Sequence, residues 1–499
     1  MDEGVNLVLL VGCVVLLVSV VAVRLSSRTG LPVLLVYLGI GVAAGEAGLG
    51  IEFSDFSITA DLGLIALAII LAEGGLTTRW STIRPVLPYA LALATVGVGV
   101  TIGVVTAFVH LVLGVELRTA VILAAVIGST DASAVFSVLR RLPLRKRVAA
   151  ALEAESGLND APVAVLVVIA SSDAWGSTSV LAGTGQVVLQ LLGGAAAGLA
   201  VGWLGRQLLL RIALPAAGLY PLAGLALVLL AYSGTTALGA SGFMAAYLSG
   251  LVLGNSKLPH RRSVLGFTSS LALLAEVGLY VLLGLLASPE RLPSAVPEAL
   301  LVGLVLIVVA RPLAVLVCAA PFRVRWQEQA FLSWAGLRGA VPIVLTTIPI
   351  TERVPGSEQV LDVVFVLVVL FTLATAPTLP LLARVLGVAE RGQAQELEVE
   401  SAPLDDLRAD LLRVRVVPGS KLHGVYVEEL RLPARAQVTL IVRDGRSLVP
   451  GPHTHFVVGD SVLLVVPGDV RAEAESRLRA VARGGRLARW LGEDGAGAG

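Results

Sequence analysis

Charge is scarce in this 499-residue chain: Lys, Arg, Asp and Glu make up 15% of it, while 56% is hydrophobic and the mean hydropathy is +0.87. That shortage excludes a soluble globular fold and indicates a polytopic membrane protein. The net charge of +1 says little, because in a membrane protein the division of Lys and Arg between loops carries the information. Cysteine is nearly absent. Cys13 and Cys318 each lie inside an apolar run, which leaves no disulfide framework or cysteine metal cluster and reads as core or lipid-facing filling. The chain starts with Asp2 and Glu3 and lacks the basic region of a cleavable signal, so its first apolar run is expected to be a retained span. No GxGxxG run follows a strand, which removes a dinucleotide fingerprint.

What the chain has in abundance is apolar runs long enough to cross about 30 Å of hydrocarbon, at about 20 residues per helix. Thirteen are expected, near residues 5–23, 31–49, 60–76, 86–113, 118–138, 148–171, 184–212, 217–233, 237–254, 264–287, 297–319, 330–350 and 360–386. Basic residues accumulate in alternate loops. Arg24, Arg28, Arg79, Arg84, Arg140, Arg141, Arg145, Lys146, Arg147, Arg206, Arg211, Lys257, Arg261, Arg262, Arg323 and Arg325 fall on one side, against Arg118, Arg291 and Arg353 on the other. Positive charge marks the cytoplasmic face, so the N-terminus is expected outside and the C-terminus inside. Gly194, Gly198 and Gly202 form a small-residue ridge for close helix packing. The membrane part is expected over residues 1–388 and a polar linker over 389–410. A small α+β domain with short strands and a turn at "RDGRS" is expected over 411–470, then a basic helix and flexible tail over 471–499. His453 and His455 in "PHTH" read as a solvated turn.

Within the spans stand Glu73, Asp131, Glu153, Glu155, Asp160, Glu276, Arg311 and Arg338. An ionisable group at bilayer depth costs several kcal/mol unless paired or hydrated, so each requires a reason. For Glu153 the reason is a place near the interface, for Arg311 snorkelling, and for Glu276 a hydrogen bond to a neighbouring helix. The stretch "ESGLND" is harder to dismiss. Glu155 and Asn159 share one helix face, and Ser156 and Asp160 an adjoining one, with Pro162 able to kink the helix just beyond. In "IGSTDASAVF", Thr130 or Asp131 is placed to cap a second half-helix after a break that frees carbonyls for a cation. The twelfth run, "WAGLRGAVPIVL", is also interrupted and holds Arg338, for which Glu155 is the candidate partner. That pairing would leave Asp160 as the exchanging carboxylate. Two interrupted segments, one in each half, suggest inverted repeats with a site at their crossing.

The runs "GSTDASAVFSVL", "ESGLNDAPVAVL" and "SWAGLRGAVPIVL", in this order, resemble the cation:proton antiporter-1 family, and most of all the bacterial NhaP-type potassium/proton antiporters, the group that includes cell volume regulation protein A. The resemblance spans about residues 5–386. The tail from "VVPGSKLHGVYVEEL" onward resembles the TrkA-C (RCK-C) regulatory domain. By that resemblance the ion-binding carboxylate is Asp160, preceded by Asn159 where electrogenic relatives carry a second Asp, with Ser156, Thr130, Asp131 and Glu73 around it and Glu155 and Arg338 as further motif positions. Glu276 departs from the family, where a neutral residue is expected. The resemblance implies an all-α antiporter fold, a homodimer, K⁺ (or Na⁺) and H⁺ as substrates in a lipid bilayer, and a nucleotide or cyclic dinucleotide as candidate ligand of the tail. It implies no enzymatic activity, cofactor or nucleic-acid partner. One carboxylate holding either a cation or a proton gives electroneutral exchange, and the tail favours K⁺. A Na⁺/H⁺ exchanger is the nearest alternative. A tail-gated cation channel is another class, and the chain has no TVGYG-like filter. An intramembrane aspartyl protease built on Asp131 and Asp160 would leave Arg338 without a place.

Overall fold

In lipid every backbone N–H and C=O must be satisfied within the segment, so long apolar runs become helices. The computed structural model describes residues 10, 12–22, 32–46, 48, 50, 55–131, 134, 135, 138, 144–177, 179–389, 398–404, 409–417 and 419–485. Asp2, Glu3, Arg24, Arg28, Arg140 and Arg141 lie outside them. Up to Glu390 the described chain is helical: α1 Gly12–Ala22, α2 Val33–Ala44, α3 Phe56–Thr77, α4 Leu87–Leu111, α5 Leu117–Val126, α6 Lys146–Ser171, α7 Val180–Arg211, α8 Leu219–Ala237, α9 Gly242–Gly254, α10 Arg261–Leu285, α11 Leu292–Phe322, α12 Trp326–Trp334, α13 Ala340–Thr351 and α14 Ser357–Val385. Among the described residues, eight of these are long and apolar enough to cross a membrane, and α1, α2, α5, α9 and α13 are shorter apolar helices.

Local chemistry sets several of the starts. Asp55 accepts from the Ile58 N–H at 2.9 Å before α3, and Ser179 and Ser241 accept from the Ala182 and Met244 N–H groups before α7 and α9. Ser241 and its neighbours separate α8 from α9, two runs only three residues apart in the sequence-based count. Pro312 in α11 has no N–H for the carbonyl four residues back, and a π-turn over Leu306–Ala310 stands just before it. By contrast α6 runs unbroken through Pro162.

The most polar long helix is also the most enclosed. α6 is 72% buried over its apolar window against 17% for α7, which places α6 at the centre and α7 at the rim. The glycine ridge of α7 lies against α9: a Cβ on Gly198 would sit 2.7 Å from the Ala245 backbone. Gly198→Val should therefore overpack this seam and cost about 1–3 kcal/mol. Thermal unfolding in detergent would register the loss, and a melting temperature equal to that of the parent chain would contradict the packing.

Residues 391–499 form a separate unit. Its sheet has the order β1-β2-β5-β3-β4, all antiparallel, with β1 Glu398–Leu404, β2 Ala409–Arg415, β3 Gln437–Arg443, β4 Arg446–Leu448 and β5 Ser461–Pro467. Helix α15, Arg471–Gly484, puts Leu478 and Val481 into one core with Leu412, Val414 and Leu464. Two expectations are corrected here. Residues 398–404, expected in a linker, form β1 and pair with β2 from Glu398–Arg415 onward, and the helix after 471 is part of the domain core. Their polar composition hid both, because an edge strand and a surface helix each need only one apolar face. The "RDGR" turn holds Asp444 at φ 50° and Gly445 at φ 75°, as a tight hairpin between β3 and β4 requires. His453 stands exposed with Nδ1 3.1 Å from the Glu428 carboxylate, and His455 lends its carbonyl to Arg443.

Arg443 holds Asp460 through two hydrogen bonds of 2.8 Å, and the Val457 N–H adds a third. Burial alone would raise the Asp460 carboxyl, but these donors outweigh it and hold the group below its ordinary value of 3.8. A carboxyl depressed in the folded state contributes stability above its unfolded pKa and loses it as pH falls through the folded one. The unit should therefore weaken on acidification below about pH 4. Asp460→Asn should cost about 2 kcal/mol at neutral pH and flatten that acid limb. Thermal melts of the full chain from pH 3 to 7 would show this, and parallel curves for both proteins would rule it out.

Candidate functional site: a crossing of broken helices beside an acidic cavity

Helix α5 stops at Val126, and the chain from Ile127 to Asp131 is not helical; α12 stops at Trp334, and residues 335–339 are likewise non-helical before α13. The two breaks meet. The Asp131 N–H donates to the Leu337 carbonyl at 2.8 Å, a backbone bond between segments some two hundred residues apart. Each break supplies the charge that the other's helix end needs. Arg338, buried, donates through Nε to the Ile127 carbonyl at 3.0 Å, at the negative end of α5, and through Nη1 to Gly336. Asp131 lies against Gly339 at the positive end of α13, so close that a Cβ there would collide with its carboxylate. The Asp131 carboxylate also accepts from the Ala134 N–H at 3.3 Å, the capping role expected of it.

Helix α6 then clamps the first break. Ser156 donates to the Thr130 carbonyl at 2.8 Å, and the Asn159 amide to the Thr130 hydroxyl at 2.7 Å. Asn159 is fully buried; its NH2 group is committed to Thr130, while its Oδ1 has no hydrogen-bond partner among the described residues. Glu155 corrects an expectation. Its partner is Arg311, at 2.5 and 2.9 Å through both guanidinium nitrogens, and not Arg338. Arg338 is engaged with the carbonyls of the break, whereas Arg311 follows the π-turn of α11 and is 3% exposed, far from any snorkelling position. A signal existed in the sequence: Arg311 lies eleven residues before the end of α11 at Phe322, about 16 Å along the axis, too far for a side chain to reach an interface.

Beside the crossing lies a cavity of about 380 Å³. Glu153, Ser156, Gly157 and Asp160 line it from α6 at steps of three and four, one helix face. Leu67, Ile70, Leu71, Glu73, Gly74 and Thr77 line it from α3, Glu276, Leu279 and Tyr280 from α10, Thr130 and Asp131 from the first break, and Ala340 from α13. Five carboxylates face this space, and no Lys, Arg or His is among the described residues that do. Glu73 accepts from Ser269 at 2.9 Å and Glu153 from Thr78 at 2.6 Å. Asp160 is 5% exposed, and its Oδ1 is buried with no hydrogen-bond partner among the described residues. Thus Asp160, Ser156, Thr130, Asp131 and Glu73 come together around one cavity. Asn159 stands behind it, and Glu155 with Arg338 outside it. Glu276, expected only to brace a neighbouring helix, faces the cavity.

The family model described as "Sodium/hydrogen exchanger, transmembrane" matches residues 14–384, and the TrkA-C domain model matches 411–479. The chain belongs to the sodium/hydrogen exchanger family. This exchanger is 36% identical to "K(+)/H(+) antiporter NhaP" of Alkalimonas amylolytica over 93% of its own length and 82% of the relative's. It is 33% identical to "K(+)/H(+) antiporter NhaP2" of Shewanella sp. (strain ANA-3), over 95% and 84%. Its fold matches the sodium proton antiporter MjNhaP1 of Methanocaldococcus jannaschii with a TM-score of 0.67 at 22% identity, covering 77% of this chain and 99% of that one.

The Glu155–Arg311 pair yields a direct test of the exchanger's core. Leaving either charge alone should cost about 3–5 kcal/mol, whereas replacing both by apolar residues should restore most of it. Melting temperatures of Arg311→Met, Glu155→Leu and the double variant would show that pattern. Single variants as stable as the parent would refute the pairing.

Proposed function

We propose that this exchanger moves K⁺, in preference to Na⁺, against H⁺ one for one by alternating access, and that Asp160 holds either the cation or the proton. The observation that carries the reading is the state of the charges around the crossing. Glu155 is neutralised by Arg311, the Asn159 NH2 group is taken by Thr130, and Asp160 alone on α6 presents a buried carboxylate oxygen beside the cavity with no hydrogen-bond partner among the described residues. A carboxylate without donors gains most from a proton or a cation, and it cannot hold both. Thr130, Ser156, Asp131 and Glu73 supply further oxygens of the kind a dehydrated alkali ion needs. Asn159, in place of a second acid, keeps the exchange at one charge each way. The two curated relatives bear K⁺/H⁺ names, and that supports K⁺ over Na⁺.

The division of basic residues between loops supports an inner-membrane exchanger with its N-terminus outside and the TrkA-C unit in the cytoplasm. There the unit serves as a regulatory module, with a nucleotide or cyclic dinucleotide as candidate ligand, in a homodimer.

The test is proton flux in proteoliposomes on addition of K⁺, Na⁺ or Li⁺. The parent chain should respond most to K⁺, and Asp160→Asn should fall to background for all three. Retained K⁺-driven proton movement in Asp160→Asn would sink the assignment, and a stronger response to Na⁺ would reverse the choice of cation.

A further inference from the structure

Four of the five carboxylates at the cavity have a stated task. Glu73 is held by Ser269, Glu153 by Thr78, and Asp131 caps the chain after the first break, while Asp160 is the exchanging group of the reading above. The fifth, Glu276, accepts no hydrogen bond from any described residue, yet it is partly buried in the wall that α10 contributes. The charged groups whose field it meets are Asp131 and Glu73, both negative. Helices packed against α10 bring no relief. α2 and α13 carry no acid or base except Tyr37, α8 carries only Tyr220 and Tyr232, and α3 adds Asp61 and Glu73. Across the cavity α6 presents Glu153 and Asp160, and one turn along α10 lies Tyr280. No guanidinium, ammonium or imidazole among the described residues lining the cavity answers this carboxylate.

A carboxylate placed among like charges without a donor is costly unless it takes a proton or a mobile cation fills the space. Bracing a neighbouring helix would show as a hydrogen bond, and a neutral Gln or Leu would fit this wall at less cost. We propose that Glu276 is a substrate-contacting carboxylate: it holds the incoming monovalent cation on the α10 wall of the cavity and hands it to Asp160 on the α6 wall. This rests on the reading of Asp160 as the exchanging group. Glu276 shares the one cation and takes no proton of its own in the cycle, so the stoichiometry stays one for one.

The consequence is a split between affinity and turnover. Glu276→Gln, nearly isosteric, should raise the KM for K⁺ about tenfold, the size of one solvent-screened charge contact, while kcat stays within about twofold. Glu276→Asp should recover part of the affinity. K⁺ titrations of proton flux in proteoliposomes, at equal amounts of folded, monodisperse protein, measure both constants. A Glu276→Gln KM equal to that of the parent chain would overturn the proposal. So would a fall in kcat at unchanged KM, which is what a purely structural role predicts. Failure of the underlying reading looks different: Asp160→Asn would still exchange, or the parent chain would show no K⁺-dependent flux at all.

Discussion

The carbonyl end of α5 and the amide end of α13 meet at one point inside the bundle, and neither is tolerable there without a counter-charge. Arg338 and Asp131 provide it reciprocally, each from the segment that belongs to the other helix. The backbone bond from Asp131 to Leu337 locks the two breaks together, and Ser156 and Asn159 tie α6 to the same point. Everything around the cavity depends on this, because non-helical backbone survives at membrane depth only where protein satisfies it. The exchanger thus obtains oxygens beside a cavity without exposing unpaired peptide groups to lipid.

A second constraint follows from the charge count. Two arginines and six carboxylates stand in or near the core among the described residues, and they are not interchangeable. Arg311 neutralises Glu155, and Arg338 is committed to the break. What remains is a cavity with acidic walls and no positive side chain among the described residues that line it. Such a space is a well for monovalent cations, and a proton competes for the same oxygens. On the proposed reading, exchange needs no moving catalytic apparatus, only a carboxylate whose two occupants exclude each other and a fold that can present it to either side.

Much of this was readable in the sequence, for a physical reason. Spans must be apolar and long, so the runs and their order were visible, and the interruptions at "GSTDAS" and "WAGLRGAVP" stood out because glycine, proline and charge are costly in such runs. The spacing of "ESGLND" on one helix was equally open to inspection. Partner choice was not. The depth of Arg311 in its run argues against snorkelling, but the one-dimensional pattern does not say whether Glu155 meets Arg311 or Arg338, since that depends on how the helices pack and on which carbonyls Arg338 reaches. The place of Glu276 was hidden for the same reason: a lone Glu in an apolar run looks alike whether its helix turns it to a neighbour or to a cavity. In the TrkA-C unit, β1 was hidden because a strand at a sheet edge needs so few apolar residues.

The one-for-one exchange at a single carboxylate is tested most directly by the null point of the transport reaction. With opposed K⁺ and H⁺ gradients across proteoliposomes, net proton flux should vanish when the two concentration ratios are equal, and the balance should hold at any clamped membrane potential. A null point at another ratio, or one that moves with potential, would contradict the central claim that Asp160 carries one charge in either direction.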